Sequence, residues 1–508
     1  MTKPTRLQAT YKNAKFGLIS QIILYSTQFI SRTIFIQTLG VIYLGINGLF
    51  TNILTILSLA ELGLGSAITF SLYKPLADND KIKISGLMNL FRKAYLVIGI
   101  IVLIIGLSLI PFLNIFFEEK PDVENLEIIF LLFLINTVST YLLSYKRSII
   151  IADQKNYIII VIHTFFTLFM SVLQIMILIV FESFIIYLCV QIIATISINL
   201  FISQKADKMY PYLKKSQHII LETTFKAEIF RKIRAMSYHQ IGQVLVIGTD
   251  NLLISMFIGI NFVGIYSNYL MIIGVISALT NQLLNSVAAS IGNATASESI
   301  EKNSDIFQKL FFGTFIIFSF CSVSLFTLLN PFIEMWLGKE YLLSNALVIL
   351  IIVNFYLSSM RRSVLSYRNA LGLYYQDRYK PLVEVVINLV SSYIFIQFYG
   401  LAGVFLGTIL STLATSVWIE PYILYKYYFK KNLLNYAKSY IQYILITIII
   451  TIFAFYSTSL IFNGTWITLV FSFISVFATY FIFILFFFKG NKNYIYYRKL
   501  FLKKIKKI

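Results

Sequence analysis

The stretch Leu39–Leu54, LGVIYLGINGLFTNIL, has a counterpart 219 residues later in Ile258–Ile273, IGINFVGIYSNYLMII, which sets Gly40 on Gly259 and Gly45 on Gly264. Alone the match carries little, because glycine is common at helix ends. Two more follow in the same order. IPFLNIFF around Pro111 matches NPFIEMWL around Pro331, and YLLSYKRSII from Tyr141 matches YLSSMRRSVL from Tyr356, at offsets of 220 and 215. Three matches at a nearly constant offset read as an internal duplication, and a duplication dictates architecture.

Composition says what is duplicated. Of 508 residues, 58% are hydrophobic and only 13% charged, far from the balance of a soluble domain. A hydrocarbon layer about 30 Å thick needs roughly 20 apolar residues per helix, and segments of that length recur along the whole chain. Fourteen are expected, so the predicted fold is an all-α integral membrane protein. The first follows a polar segment, 1–15, without the short apolar core and small-residue cleavage site of a signal peptide, and reads as a retained helix. The repeat unit is six helices: 16–203 form an N-terminal lobe and 237–424 a C-terminal lobe, joined by a basic linker, 204–236. Two further helices, 425–488, and a basic tail, 489–508, complete the chain. Six is even, so both copies start from the same side as parallel repeats. Such bundles are expected to enclose a central cavity and to work by alternating access. Cys189 and Cys321 fall inside different spans and read as free thiols.

Charge orients the chain. Thirty-nine of the 42 Lys and Arg fall in the N-terminal segment, the tail and every second loop, whereas Lys120 and Lys339 fall in the others. The positive-inside tendency therefore puts both termini in the cytoplasm. A net charge of +20 distributed this way argues for topology and not for nucleic acid. The tail KGNKNYIYYRKLFLKKIKKI, with eight basic and no acidic residues, is expected to contact anionic lipids, at about 1 kcal/mol per basic residue near the surface.

Polar side chains inside spans are the candidate functional residues. In the first helix Gln21, Tyr25, Gln28 and Arg32 are spaced by four, three and four, which is one helical face; in the seventh, His239, Gln243 and Asp250 form a similar stripe, with Gln240 aligned on Gln21. Arg or Asp at mid-span costs about 2.5–3.5 kcal/mol on the insertion scale and usually faces protein or a water-filled cavity. Three readings stand for Arg32: an ion pair with Asp250, snorkelling to the outer interface, or a cavity-facing guanidinium whose fork binds a phosphate bidentately. Asp250 and His239 are also candidates for ion coupling. The dyads Lys146-Arg147 and Arg361-Arg362 occupy equivalent helix ends, where positive-inside placement accounts for them and collection of a diphosphate at the inner leaflet is the functional alternative. Glu384 and Glu420 sit nearer the inner boundary and are read as hydrated. No metal cluster, nucleophile–base pair or GxxxxGK[ST] phosphate loop is found, and no cofactor is expected.

The segment LGVIYLGINGLFTNILTILSLAELGLGSAITFSLYKPLADND, with DNLLISMFIGINFVGIYSNY and SIGNATA, resembles the bacterial polysaccharide transporter family, the O-antigen repeat-unit flippases, of the multidrug, oligosaccharidyl-lipid and polysaccharide (MOP) superfamily. The resemblance covers nearly the whole chain. It implies a V-shaped pair of six-helix lobes in the bacterial cytoplasmic membrane that flips undecaprenyl-diphosphate-linked oligosaccharide outward for capsule, O-antigen or exopolysaccharide synthesis, alongside polysaccharide assembly proteins. It also implies cations in a central cavity. Arg32 matches that role, while Asp250 stands where a second cation would be expected. A multidrug exporter of the same superfamily is the alternative. A membrane polymerase is disfavoured, because no loop is long enough to carry a catalytic domain.

Overall fold

The computed structural model describes residues 6–61, 64–123, 125–215, 227, 229, 242, 244–245, 248–373 and 375–505. The chain divides into two compact units, Met1–Gly264 and Ile265–Ile508.

In the first unit the helices are α1 (Arg6–Leu57), α2 (Leu64–Ala77), α3 (Lys81–Leu109), α4 (Leu126–Tyr141), α5 (Tyr145–Ala152), α6 (Asn156–Phe181), α7 (Phe184–Met209) and the single turn α8 (Tyr212–Lys215). Residues 248–257 are helical, and α9 (Ile260–Ser297) starts in this unit and continues in the second. The second unit goes on with α10 (Ile300–Leu337), α11 (Asn345–Met360), α12 (Arg362–Leu371), α13 (Lys380–Tyr399), α14 (Leu401–Ala414), α15 (Ser416–Leu424), α16 (Leu434–Ser459), α17 (Trp466–Phe488) and α18 (Lys492–Ile505). Among the described residues eleven helices are long and apolar enough to cross a membrane, twelve when α4 and α5, bent by 44°, count as one crossing. The first of these is itself two helices, because Gly40 (φ 82) turns the chain inside α1. Of the expected seventh span, 237–258, residues 242, 244–245 and 248–258 are described, and 248–257 are helical.

The duplicated glycines do duplicated work. Gly40 and Gly259 both take positive φ, 82° and 119°, a region open to glycine without penalty. Each lets one helix stop and the next begin at once, without a loop of unsatisfied backbone. Five residues on, Gly45 and Gly264 meet: a Cβ at Gly45 would lie 2.2 Å from the Ile260 carbonyl oxygen, and one at Gly264 would lie 2.4 Å from that of Val41 and 3.2 Å from the Gly45 nitrogen. Lipid tails are as apolar as Leu, so helix association in a bilayer relies on close packing, and small residues permit it. The last turns of the seventh span are held nearby, where Ser255 donates to the Phe116 carbonyl (2.7 Å) and Glu118 N–H donates to the Ser255 carbonyl (2.9 Å).

The other repeats diverge in backbone form. Pro111 opens a 3-10 segment, Ile110–Phe116, whereas Pro331 stays inside α10. The Tyr141 and Tyr356 motifs both mark helix breaks: α4 ends at Tyr141 before α5 resumes at Tyr145, and α11 ends at Met360 before α12 resumes at Arg362. In the second unit the final pair, α16 and α17, packs on α10 through an aromatic seam. Tyr443 stacks on Phe315 at 4.2 Å, Phe488 lies edge-on to Phe312 at 5.2 Å, and Tyr480 donates to the Ile316 carbonyl at 2.8 Å.

The contact at Gly45 and Gly264 is testable. Gly45→Ala and Gly264→Ala each drive a methyl into backbone, an overpacking cost of about 1–3 kcal/mol, and should lower the unfolding midpoint of the detergent-purified protein. Gly48→Ala, whose Cβ would sit 3.3 Å from a Val263 methyl carbon, should shift it far less.

Candidate functional site

Two groups of intramembrane polar residues emerge, one around Arg32 and one at the helix breaks. On α1, Arg32 is partly buried and lies within electrostatic reach of Tyr187 on α7. Tyr187 is fixed by its own ring contacts, 5.5 Å from Phe35 and 6.0 Å from Phe184, and its carbonyl accepts from Gln174 at 3.3 Å. Of the other residues on this face, Gln21 and Tyr25 are partly buried and Gln28 is exposed. The Gln21 Oε1 is buried without a hydrogen-bond partner among the described residues. Asp250 is partly buried, and it and Arg32 both make polar or electrostatic interactions. His239, Gln240 and Gln243 lie outside the described residues.

The two members of each basic dyad, which lie at the helix breaks, differ in their partners. Lys146, in the first turn of α5, donates to Asp207 Oδ1 (2.7 Å) and Ser203 Oγ (2.9 Å) on α7. Arg361 spans its partner with two bonds, Nε to Glu420 Oε2 (3.0 Å) and Nη2 to Oε1 (2.6 Å). The partners lie 61 and 59 residues downstream, so the duplication extends to an ion pair that ties each break to a later helix of its own unit. The second members behave differently. Arg147 Nε and Arg362 Nε are buried without a hydrogen-bond partner among the described residues. Arg147 feels the charge of Glu61, and the Arg362 guanidinium lies over the Phe318 ring at 5.7 Å.

Unit two builds a larger network on this pair. Lys380 donates to Glu420 (2.8 Å) and Ser416 (2.7 Å) and lies 3.1 Å from Glu384. Ser416 donates to Glu384 at 2.8 Å. Arg368 pairs with Asp377 and lies 3.9 Å from Glu420. Arg361, Arg368 and Lys380 thus face Glu420, Glu384 and Asp377, three cations against three carboxylates, which makes the cluster neutral. Glu384 and Glu420 are 8% and 1% exposed, which corrects the reading of both as hydrated boundary residues. Burial of carboxylates is tolerated here because each has a cation or hydroxyl in contact. Sequence reasoning misses Arg368, Asp377 and Lys380; the i, i+4 spacing of Lys380 and Glu384 is the signal that could have found part of the cluster.

A buried ion pair that loses one member strands the other, at about 3–5 kcal/mol. Glu420→Gln should therefore lower the thermal midpoint sharply, or prevent recovery of monodisperse protein. Asp207→Asn should cost less, because Lys146 and Asp207 keep 14% and 18% of their side-chain surface accessible. Paired unfolding curves in one detergent check the order.

No family model matches the chain, and no curated protein matches it. Solved structures do. A lipid II flippase, MurJ, in an inward closed conformation, superposes with a TM-score of 0.64 at 15% identity, covering 93% of this chain and 98% of its own. An inward-facing multidrug resistance MATE family transporter of the MOP superfamily gives 0.60 at 16% identity, covering 81% and 98%. A point mutant of the Vibrio cholerae MATE transporter VcmN gives 0.56 at 16%, covering 84% and 97%. The breaks, the duplicated glycines and the long apolar helices are therefore set in a fold that this chain shares with these transporters.

Proposed function

We propose that this chain is a flippase that carries undecaprenyl-diphosphate-linked oligosaccharide from the cytoplasmic to the outer leaflet by alternating access, with Arg32 contacting the diphosphate. The observation that carries this reading is a guanidinium in a membrane helix, partly buried beside Tyr187, on a helical face that also bears Gln21, Tyr25 and Gln28. A fold that a lipid II flippase also uses supports it. The physical task fits. A diphosphate and its sugars cannot cross hydrocarbon unaided, because each buried polar group without a partner costs several kcal/mol. A protein that supplies donors to the head group removes that barrier while the polyprenyl tail stays in lipid. Arg147 and Arg362, the dyad members outside the two ion pairs, are the better candidates for collecting the diphosphate; Lys146 and Arg361 already hold carboxylates.

A second reading, export of cationic drugs, is favoured by one observation, the partly buried Asp250 in a fold shared with MATE transporters. The two readings want opposite charges from the substrate and so separate cleanly. In proteoliposomes, a defined lipid-diphosphate oligosaccharide should be flipped by the wild type. Arg32→Gln, losing charge-assisted hydrogen bonds, should slow flipping about 10–100-fold with insertion unchanged. A potential negative on the side of origin should speed the step, because each negative charge moved outward gains about 2.3 kcal/mol per 100 mV. Full activity in Arg32→Ala, or efflux of a cationic dye with no flipping, overturns the proposal.

A further inference from the structure

The first unit holds a cavity of about 270 Å³ at the end where its basic loops gather. Four elements wall it. The first turns of α3 supply Ser85, Asn89 and Arg92, the start of α5 supplies Tyr145 and Lys146, the end of α7 supplies Asp207, and Leu213 of α8 closes one side. The cavity exists because the helix breaks. Leu143 takes positive φ (64°) between α4 and α5, and this turn sets Tyr145 and Lys146 along the same wall as α3.

The chemistry of the lining selects its ligand. Lys146 spends two of its three ammonium hydrogens on Asp207 and Ser203, which leaves one. Arg92 is exposed, lines the cavity, and forms no ion pair with any described residue. Ser85 is 3% exposed, yet its hydroxyl has no hydrogen-bond partner among the described residues, an unspent donor buried in the wall. Two cations against one carboxylate leave the lining with one net positive charge. Donors of this kind, arriving from three directions, match the several acceptor oxygens of a phosphoryl group, and a guanidinium suits it best. The volume falls just below the roughly 300–1,000 Å³ of sites that enclose a whole small molecule, so it suits a head group and not a complete lipid. Met88, Leu143 and Leu213 in the lining can take the carbon side of a phosphate ester.

We propose that this cavity binds the phosphoryl group of a phosphate ester, either the head group of an anionic phospholipid or a soluble phosphate compound, through Arg92, Lys146 and Ser85. Neither Arg92 nor Ser85 has a part in the transport reading, so the site stands or falls separately from it.

The test uses the full chain, delipidated in a neutral detergent. All eight basic tail residues, Lys489, Lys492, Arg498, Lys499, Lys503, Lys504, Lys506 and Lys507, are changed to Gln, so that the tail does not mask the signal. Phosphatidylglycerol and phosphatidylcholine are compared by native mass spectrometry, and inorganic pyrophosphate by calorimetry. Retention of phosphatidylglycerol over phosphatidylcholine, or binding of pyrophosphate alone, supports the site and identifies its source as lipid or soluble. In either case Arg92→Gln should weaken binding at least tenfold and Ser85→Ala several-fold, with the ligand-free melting temperature unchanged. Equal retention of both lipids together with no pyrophosphate binding overturns the proposal, as does selective binding that neither substitution alters.

Discussion

A charged side chain that a helix break draws out of water needs partners from the protein itself. The two breaks at Tyr141–Tyr145 and Met360–Arg362 meet that constraint in the same way. A basic residue at each break is clamped by a carboxylate about sixty residues downstream, Asp207 for Lys146 and Glu420 for Arg361. The clamp fixes the direction in which the chain resumes, and with it the setting of Arg147 and Arg362. A positive-inside preference would by itself place basic residues at these ends. It does not distinguish Lys146 and Arg361, which form close ion pairs, from Arg147 and Arg362, whose Nε atoms have no hydrogen-bond partner among the described residues.

The units elaborate the shared clamp differently. In the second, Lys380, Glu384, Arg368 and Asp377 join it, giving a neutral cluster whose members fill one another's valences. Such a cluster is weak evidence for stability, since well-packed apolar residues often serve as well, but removing one member is costly. In the first unit the clamp has one ion pair, and a cavity adjoins it. Asp153, the other carboxylate just beyond this break, accepts from Tyr210 (2.7 Å) and pairs with Lys155 (2.6 Å), so it is occupied at its own loop and takes no part in the clamp.

How much of this is legible in sequence depends on the range of the interaction. Gly40, Gly45, Gly259 and Gly264 can be read because a tight turn and a close approach demand glycine locally, and the duplication repeats the demand. The face bearing Arg32 can be read from a spacing of three and four. The clamps cannot, since their partners lie 61 and 59 residues away and a carboxylate near a span's end looks like a solvated one. The reading of Glu420 as hydrated fails for that reason. Pro111 and Pro331 show the opposite limit: matched residues that open a 3-10 segment in one copy and stay within an α-helix in the other.

The charges therefore fall into two physical classes. Those at the clamps are held by fixed carboxylates at 2.6–2.8 Å, which leaves Lys146 a single ammonium hydrogen for any further partner. Arg32 lies beside Tyr187 and makes further interactions within the protein. On the proposed reading, a phosphate has to exchange with those interactions on entry and give them back on leaving, since translocation needs binding strong enough for entry and weak enough for release. A site too well matched to its substrate would not let it go.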